Sequence, residues 1–265
     1  MPSSRRTQAR LRPTSRRLRA ALAIAALAGI LAGCGTTERD RTAKWSADRL
    51  YNEARGELLQ GNCSTARDLF AKLESRYPFG RYAQQSLMET AYCLFKEGET
   101  ADAISTIDRF LKMAPNHPNA DYVLYLRGLV NFIDRPAILG TLVNYQVSER
   151  DPKALHESFE AFKELVVRFP ASRYTPDATR RLMFLRDALA DHDTRVADYY
   201  YRRGAYLAAI DRAQNVVKEY QGSDAVERAL ALMVRSYARL GMAGLHDDAL
   251  KVLQQNYPDT TVAID

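Results

Sequence analysis

The chain is 265 residues long, 46% hydrophobic, and carries 38 basic against 32 acidic residues, a formal charge of +6. Seven of the arginines and none of the acids precede residue 34, so the remainder holds 31 basic and 32 acidic residues, a charge of −1. The basic balance therefore belongs to the first segment and gives no support for nucleic-acid binding.

Residues 1–33 read as a targeting segment rather than as part of a fold. Arg5, Arg6, Arg10, Arg12, Arg16, Arg17 and Arg19 lead into an apolar stretch from Ala20 to Ile30, and then into Leu31-Ala32-Gly33-Cys34. A positive start, a short apolar run and small residues at the cleavage point mark a secretory signal peptide. The run is too short to span a bilayer comfortably. Cys34, directly after Leu-Ala-Gly, resembles a bacterial lipobox, which implies that Cys34 is acylated and becomes the mature N-terminus. One acyl chain binds a membrane marginally, at about 0.8 kcal/mol per buried methylene, so several would hold the protein permanently. Gly35 rather than Asp follows the cysteine. By analogy with sorting in enteric bacteria, this implies the outer membrane. Residues 34–45 are polar beyond the cysteine and are expected to form a flexible tether.

Beyond the tether the chain repeats. Gly61 and Gly98 are 37 residues apart, as are Ala66 and Ala103, Pro78 and Pro115, and later Gly204 and Gly241. Each unit reads as helix, turn, helix. Leu50, Ala54 and Leu58 share one helical face, and Leu87, Ala91 and Leu94 share another. Glycine at the turn suits a helix C-cap. The second helices carry Ala66, Phe70 and Leu73, then Ala103, Ile107 and Phe110, then Phe162, Leu165 and Phe169, then Ala209, Ala213 and Val216, then Leu250 and Leu253. In four of the five units a proline follows and stops the helix, because it lacks an N–H and clashes with the preceding turn. The pattern resembles the tetratricopeptide repeat, although Ser158 and His246 replace its alanine. The expected fold is all-α, a right-handed superhelical solenoid of about five units: 46–78, 82–115, 119–170, 175–220 and 224–258, with a tail at 259–265. Stacked units build a continuous core and a concave surface.

Unit three contains an insertion, 133–152, at whose end Asp151-Pro152 reads as a helix N-cap with proline at the first position. In unit four the first helix is expected to run unusually far, from about Pro176 to Arg203. No catalytic motif is present. His156 and Glu157 begin an H-E-x-x-H pattern, but Glu160 stands where the second imidazole would be, so no metal site is expected. Asp191-His192-Asp193 reads as a solvated turn of the long helix. Neither Cys63 nor Cys93 belongs to a CxxC pair, and a disulfide between them or two reduced thiols fit the sequence equally well.

First helices line the groove in tetratricopeptide arrays, which makes Tyr51, Tyr92, Tyr122 and Tyr125 candidates for a peptide groove, with Arg55, Gln85, Met88 and Lys96 on the same expected face. Tyrosine presents a large apolar ring with a polar tip and recurs at binding surfaces. A basic group beside aromatic rings suits an extended peptide or a C-terminal carboxylate. Packing between helices would account for individual tyrosines equally well.

The runs RYPFGRYAQQ (76–85), AYCLFKEGE, DRFLKMAPNHPNADYVLYLRGL, SERDP and FPASRYTPDATRRL (169–182) closely resemble the BamD (ComL) family, the tetratricopeptide lipoprotein of the outer-membrane β-barrel assembly machinery. The resemblance covers nearly all of the mature chain. It implies a non-enzymatic scaffold on the periplasmic face of the outer membrane, with no cofactor beyond the lipid on Cys34. The implied partners are the POTRA-containing insertase, other assembly-machinery lipoproteins, and the C-terminal signals of unfolded outer-membrane proteins. It also implies that the carboxy-terminal units contact the insertase, through Arg212 in RRGAYLAAIDR, with Arg203 as a second candidate. The amino-terminal units would then receive substrate. A periplasmic adaptor coordinating cell-envelope or peptidoglycan synthesis would share the fold, but would need neither the lipobox nor RYPFGRYAQQ.

Overall fold

The computed structural model describes residues 40–132 and 152–264. The lipobox with Cys34, and residues 133–151 of the insertion, lie outside the described residues. Residues 40–45, expected to be tether, form a turn. The Asp40 carboxylate accepts from the Thr42 N–H at 2.9 Å and from the Thr42 hydroxyl at 2.7 Å, and the Trp45 N–H reaches the Thr42 carbonyl at 2.9 Å.

From Ser46 onward the described residues form ten α-helices within one unit. They pair as α1 Ala47–Leu59 with α2 Cys63–Arg76, α3 Arg81–Glu97 with α4 Thr100–Met113, and α5 Ala120–Asn131 with α6 Pro152–Arg168. The last two pairs are α7 Thr175–Arg202 with α8 Tyr206–Glu219, and α9 Ala225–Arg239 with α10 Ala243–Asn256. Each helix packs on the next, and the first helices α1 and α3, α3 and α5, and α7 and α9 also pack on one another. No described helix is long and apolar enough to cross a membrane.

The turn chemistry explains the period. Gly61, Gly98, Gly204 and Gly241 all have positive φ, between 69° and 86°, a conformation that costs glycine little and any other residue more. At Gly98 the following N–H, of Glu99, returns to the Leu94 carbonyl at 2.9 Å, satisfying one of the carbonyls the helix end leaves open. Opposite these turns, α2, α4, α6 and α10 each end one residue before an X-Pro pair: Tyr77-Pro78, Ala114-Pro115, Phe169-Pro170 and Tyr257-Pro258.

The core lies in two layers of side chains. One, from α3 to α5, contains Leu87, Met88, Ala91, Leu94, Ile107, Phe110, Val123, Leu126 and Val130. The other runs from Leu124 on α5 through Phe162, Leu185, Val216 and Leu230 to Leu253 on α10. Helix α5 faces both. Its contact with α6 is close, because a Cβ on Gly128 would stand 2.4 Å from the Phe162 ring. Ser158 has a reason to depart from the repeat's alanine here: its buried hydroxyl donates to the Gly128 carbonyl at 2.9 Å.

Candidate interaction surfaces

The eight groove candidates separate into two sets. Tyr51 is buried, its ring 6.0 Å from Phe70 and 5.3 Å from Tyr82. Met88 belongs to the α3–α5 core layer. These two side chains fill the interior instead of lining an open groove, because neighbouring first helices pack directly on one another. Tyr122 and Tyr125 are half-buried and meet Tyr174, at 5.7 Å and, stacked, at 4.9 Å. Burial raises the Tyr122 phenol above its ordinary value, and the Glu89 charge adds to the effect. Both rings therefore serve chiefly to join unit three to the start of α7.

That joint is built around Asp177. Its carboxylate accepts from Tyr125 Oη at 2.7 Å, Arg181 Nε at 2.6 Å and Arg180 Nη2 at 2.9 Å. The Arg181 hydrogen bond first, with help from Tyr125 and Arg180, holds the Asp177 pKa down at about 2. Arg181 in turn lies 4.7 Å over the Phe132 ring, which meets Phe162 and Phe184 edge-on. Arg180 and Arg181 stand three and four positions after Asp177 on one helix, a spacing legible in the sequence, whereas Tyr125 lies 52 positions away across an insertion and was not.

Arg55, Gln85, Tyr92 and Lys96 remain accessible: Arg55 and Lys96 are exposed, Gln85 and Tyr92 half-buried. Tyr92 and Lys96 line a cleft of about 470 Å3 beside the turn between α1 and α2, together with Leu58, Asn62, Cys63 and Thr65. Cys63 and Cys93 are both free thiols. They lie close enough that, after burial, contact with Cys63 contributes to raising the Cys93 thiol's pKa. Sequence reasoning missed Glu89 on α3. Burial raises its carboxyl pKa, and the charge of Arg55 opposes the rise.

On unit four, Arg203 is exposed at the end of α7, its guanidinium 5.4 Å over the ring of Tyr199, itself 50% exposed. Arg212 on α8 is exposed and reaches Asp193 at 3.8 Å. That is long beside the 2.7–2.9 Å typical of a charged hydrogen bond, so its donors are available to an outside acceptor. The expected solvated turn at Asp191-His192-Asp193 is instead half-buried and engaged. Asp191 accepts from Arg228 at 2.8 Å and pairs with Arg195 at 3.2 Å, while Asp193 accepts from Asn215 at 3.1 Å. A readable signal existed for the first pair: Asp191 and Arg228 are 37 residues apart, the repeat period, and so face each other from equivalent positions. Among the described residues no cluster of His, Cys, Asp and Glu is arranged to hold a metal ion.

The sequence profile of YfiO, described as "Outer membrane lipoprotein", matches residues 43–253, all ten helices but the last turn of α10. The outer membrane protein assembly factor BamD of Neisseria meningitidis serogroup B is 46% identical over 226 residues, 84% of this chain and 85% of that protein. The chain belongs to the BamD family. The Vibrio cholerae BamD is 34% identical over 235 residues, 87% of this chain and 97% of its own length. Among solved structures the MamA protein is similar at 14% identity and a TM-score of 0.34, over 83% of this chain and 97% of that one.

Proposed function

We propose that this BamD family member is a non-enzymatic scaffold of the outer-membrane β-barrel assembly machinery, anchored to the outer membrane by lipid on Cys34 and working on its periplasmic face. The observation that carries the reading is the 46% identity to an outer membrane protein assembly factor over nearly the whole folded chain. Units four and five dock on the POTRA repeats of the insertase, with Arg212, and Arg203 beside it, meeting acidic groups. Both side chains are exposed and weakly committed within the chain, as a docking arginine must be. An ion pair there contributes little at an open rim and more once desolvated.

The amino-terminal units receive the C-terminal segment of an unfolded outer-membrane protein. The burial of Tyr51 and Met88 moves the expected contact to Arg55, Gln85 and the Tyr92–Lys96 cleft, where ring and ammonium are accessible together. Other assembly-machinery lipoproteins complete the complex. The test is a detergent pull-down of the tagged, lipidated protein followed by mass spectrometry. A POTRA-containing β-barrel protein should co-purify stoichiometrically and be depleted by Arg212→Ala. Recovery of cell-wall synthases, or of no partner, would refute the assignment.

A further inference from the structure

Apart from the surfaces above, α7 and α9 flank a half-open cavity of about 210 Å3, lined by Arg195, Asp198, Arg228, Leu232, Arg235 and, from the segment after α10, Val262. Three guanidinium groups converge on it, and their partners are unequal. Arg195 and Arg228 share Asp191. Asp198 is paired with Arg202 at 2.9 Å. Arg235 has no carboxylate partner among the described residues. Its guanidinium lies 4.8 Å over the Tyr201 ring, and its buried Nε–H has no acceptor among the described residues.

A guanidinium stays charged at every accessible pH, so it cannot relieve this by losing its proton. An unsatisfied buried donor on a charged group is costly, and an incoming carboxylate would remove that cost. The cavity falls below the roughly 300–1,000 Å3 that hold small-molecule ligands, which limits the occupant to about one side chain. Leu232 and Val262 offer apolar wall to an aliphatic stem. Asp198 stands against the nearly double charge of a phosphate group near neutral pH.

We propose that this cavity is a receptor for a single acidic side chain presented by a partner protein, with Arg235 as its principal ligand and the Arg195–Asp191–Arg228 bridge as its wall. The site is distinct from Arg203 and Arg212 and does not depend on the assembly-factor reading. Tyr201 holds the Arg235 guanidinium in place by cation–π contact, so the receptor is formed before the partner arrives.

The test follows the Arg235 Nε–H resonance in the full isotope-labelled chain in detergent, assigned by its loss in Arg235→Lys. The probes are N-acetyl-glutamate N-methylamide, its glutamine counterpart and inorganic phosphate. The glutamate probe should shift the resonance saturably and move the Leu232 methyl signals with it. The glutamine probe should bind about tenfold more weakly, the least expected from losing a charged hydrogen bond. In Arg235→Gln, with its helical circular dichroism intact, the Leu232 methyl signals should no longer respond. Should that variant unfold, the wild-type titrations decide. An equal response to glutamine, a stronger response to phosphate, or no response to glutamate would each overturn the proposal, the phosphate outcome pointing to a lipid headgroup or free anion instead. None of these results bears on which protein co-purifies, so this proposal and the scaffold reading fail separately.

Discussion

Tyr51 on α1 and Tyr199 on α7 are the same residue type on equivalent helices, yet one is 7% exposed and the other 50%. Tyr51 turns inward against Phe70 and Tyr82, and Tyr125 against Tyr174, whereas unit four leaves Tyr199, Arg203 and Arg212 at the surface. The difference comes from what covers each helix. Helix α1 is packed against α2 and α3. Helix α7, at 28 residues, gives its first half to the Asp177 joint and its second half to α8 and α9, and ends in accessible Tyr199 and Arg203. Tyr51 and Tyr125 thus sit at joints where helices pack together, whereas Tyr199, Arg203 and Arg212 lie on the surface to which the proposed docking is assigned.

This contrast can be broken by substitution. The largest effect should come from Phe162→Ala, which empties a fully buried site and should destabilise the fold by about 3–5 kcal/mol in urea unfolding. Gly128→Ala drives a methyl group into the same ring and should cost about 1–3 kcal/mol by overpacking. Tyr125→Ala should cost a comparable amount, about 2 kcal/mol, while Tyr199→Ala should stay within about 0.5 kcal/mol of the wild type. Equal costs for the two tyrosines would erase the distinction between joint and surface.

The Asp177 joint supplies a pH signature. Its pKa lies below the ordinary carboxylate value of 3.8, at about 2, so its stabilisation is present above pH about 4 and is lost as the pH falls through about 2. Thermal melts between those limits should show the wild type losing about 1 kcal/mol more than Asp177→Asn, a figure reduced for the partial exposure of the pair. The smallest effect on stability belongs to Arg212→Ala, within about 0.5 kcal/mol, although it should deplete the insertase from the complex. A large fall in melting temperature would make Arg212 a structural residue.

Much of the architecture was legible because the 37-residue period fixes turns, stops and second-helix faces together. The long helix expected at Pro176–Arg203 is observed at Thr175–Arg202. The side chains of first helices were less legible. Such a helix packs on its own second helix and on the first helices beside it, so most of its circumference is apolar-compatible. Periodicity places Tyr51, Met88 and Tyr92 on it without saying which flank is covered. Ser158 illustrates a second limit: the exception to the alanine pattern makes sense once Gly128, 30 positions away, is seen to present its carbonyl. Pairs at the repeat period, such as Asp191 and Arg228, could have been found by aligning charges between units, whereas Tyr125 and Asp177, separated by the insertion, could not.

The most direct test of the division between joint and surface is photo-crosslinking in cells, with a photoreactive amino acid placed at Asp211, beside Arg212 on the exposed face of α8, or at Tyr125. Crosslinks from position 211 to a POTRA-containing β-barrel protein, with none from position 125, are the expected result. The same partner captured from position 125 and not from 211 would contradict the account.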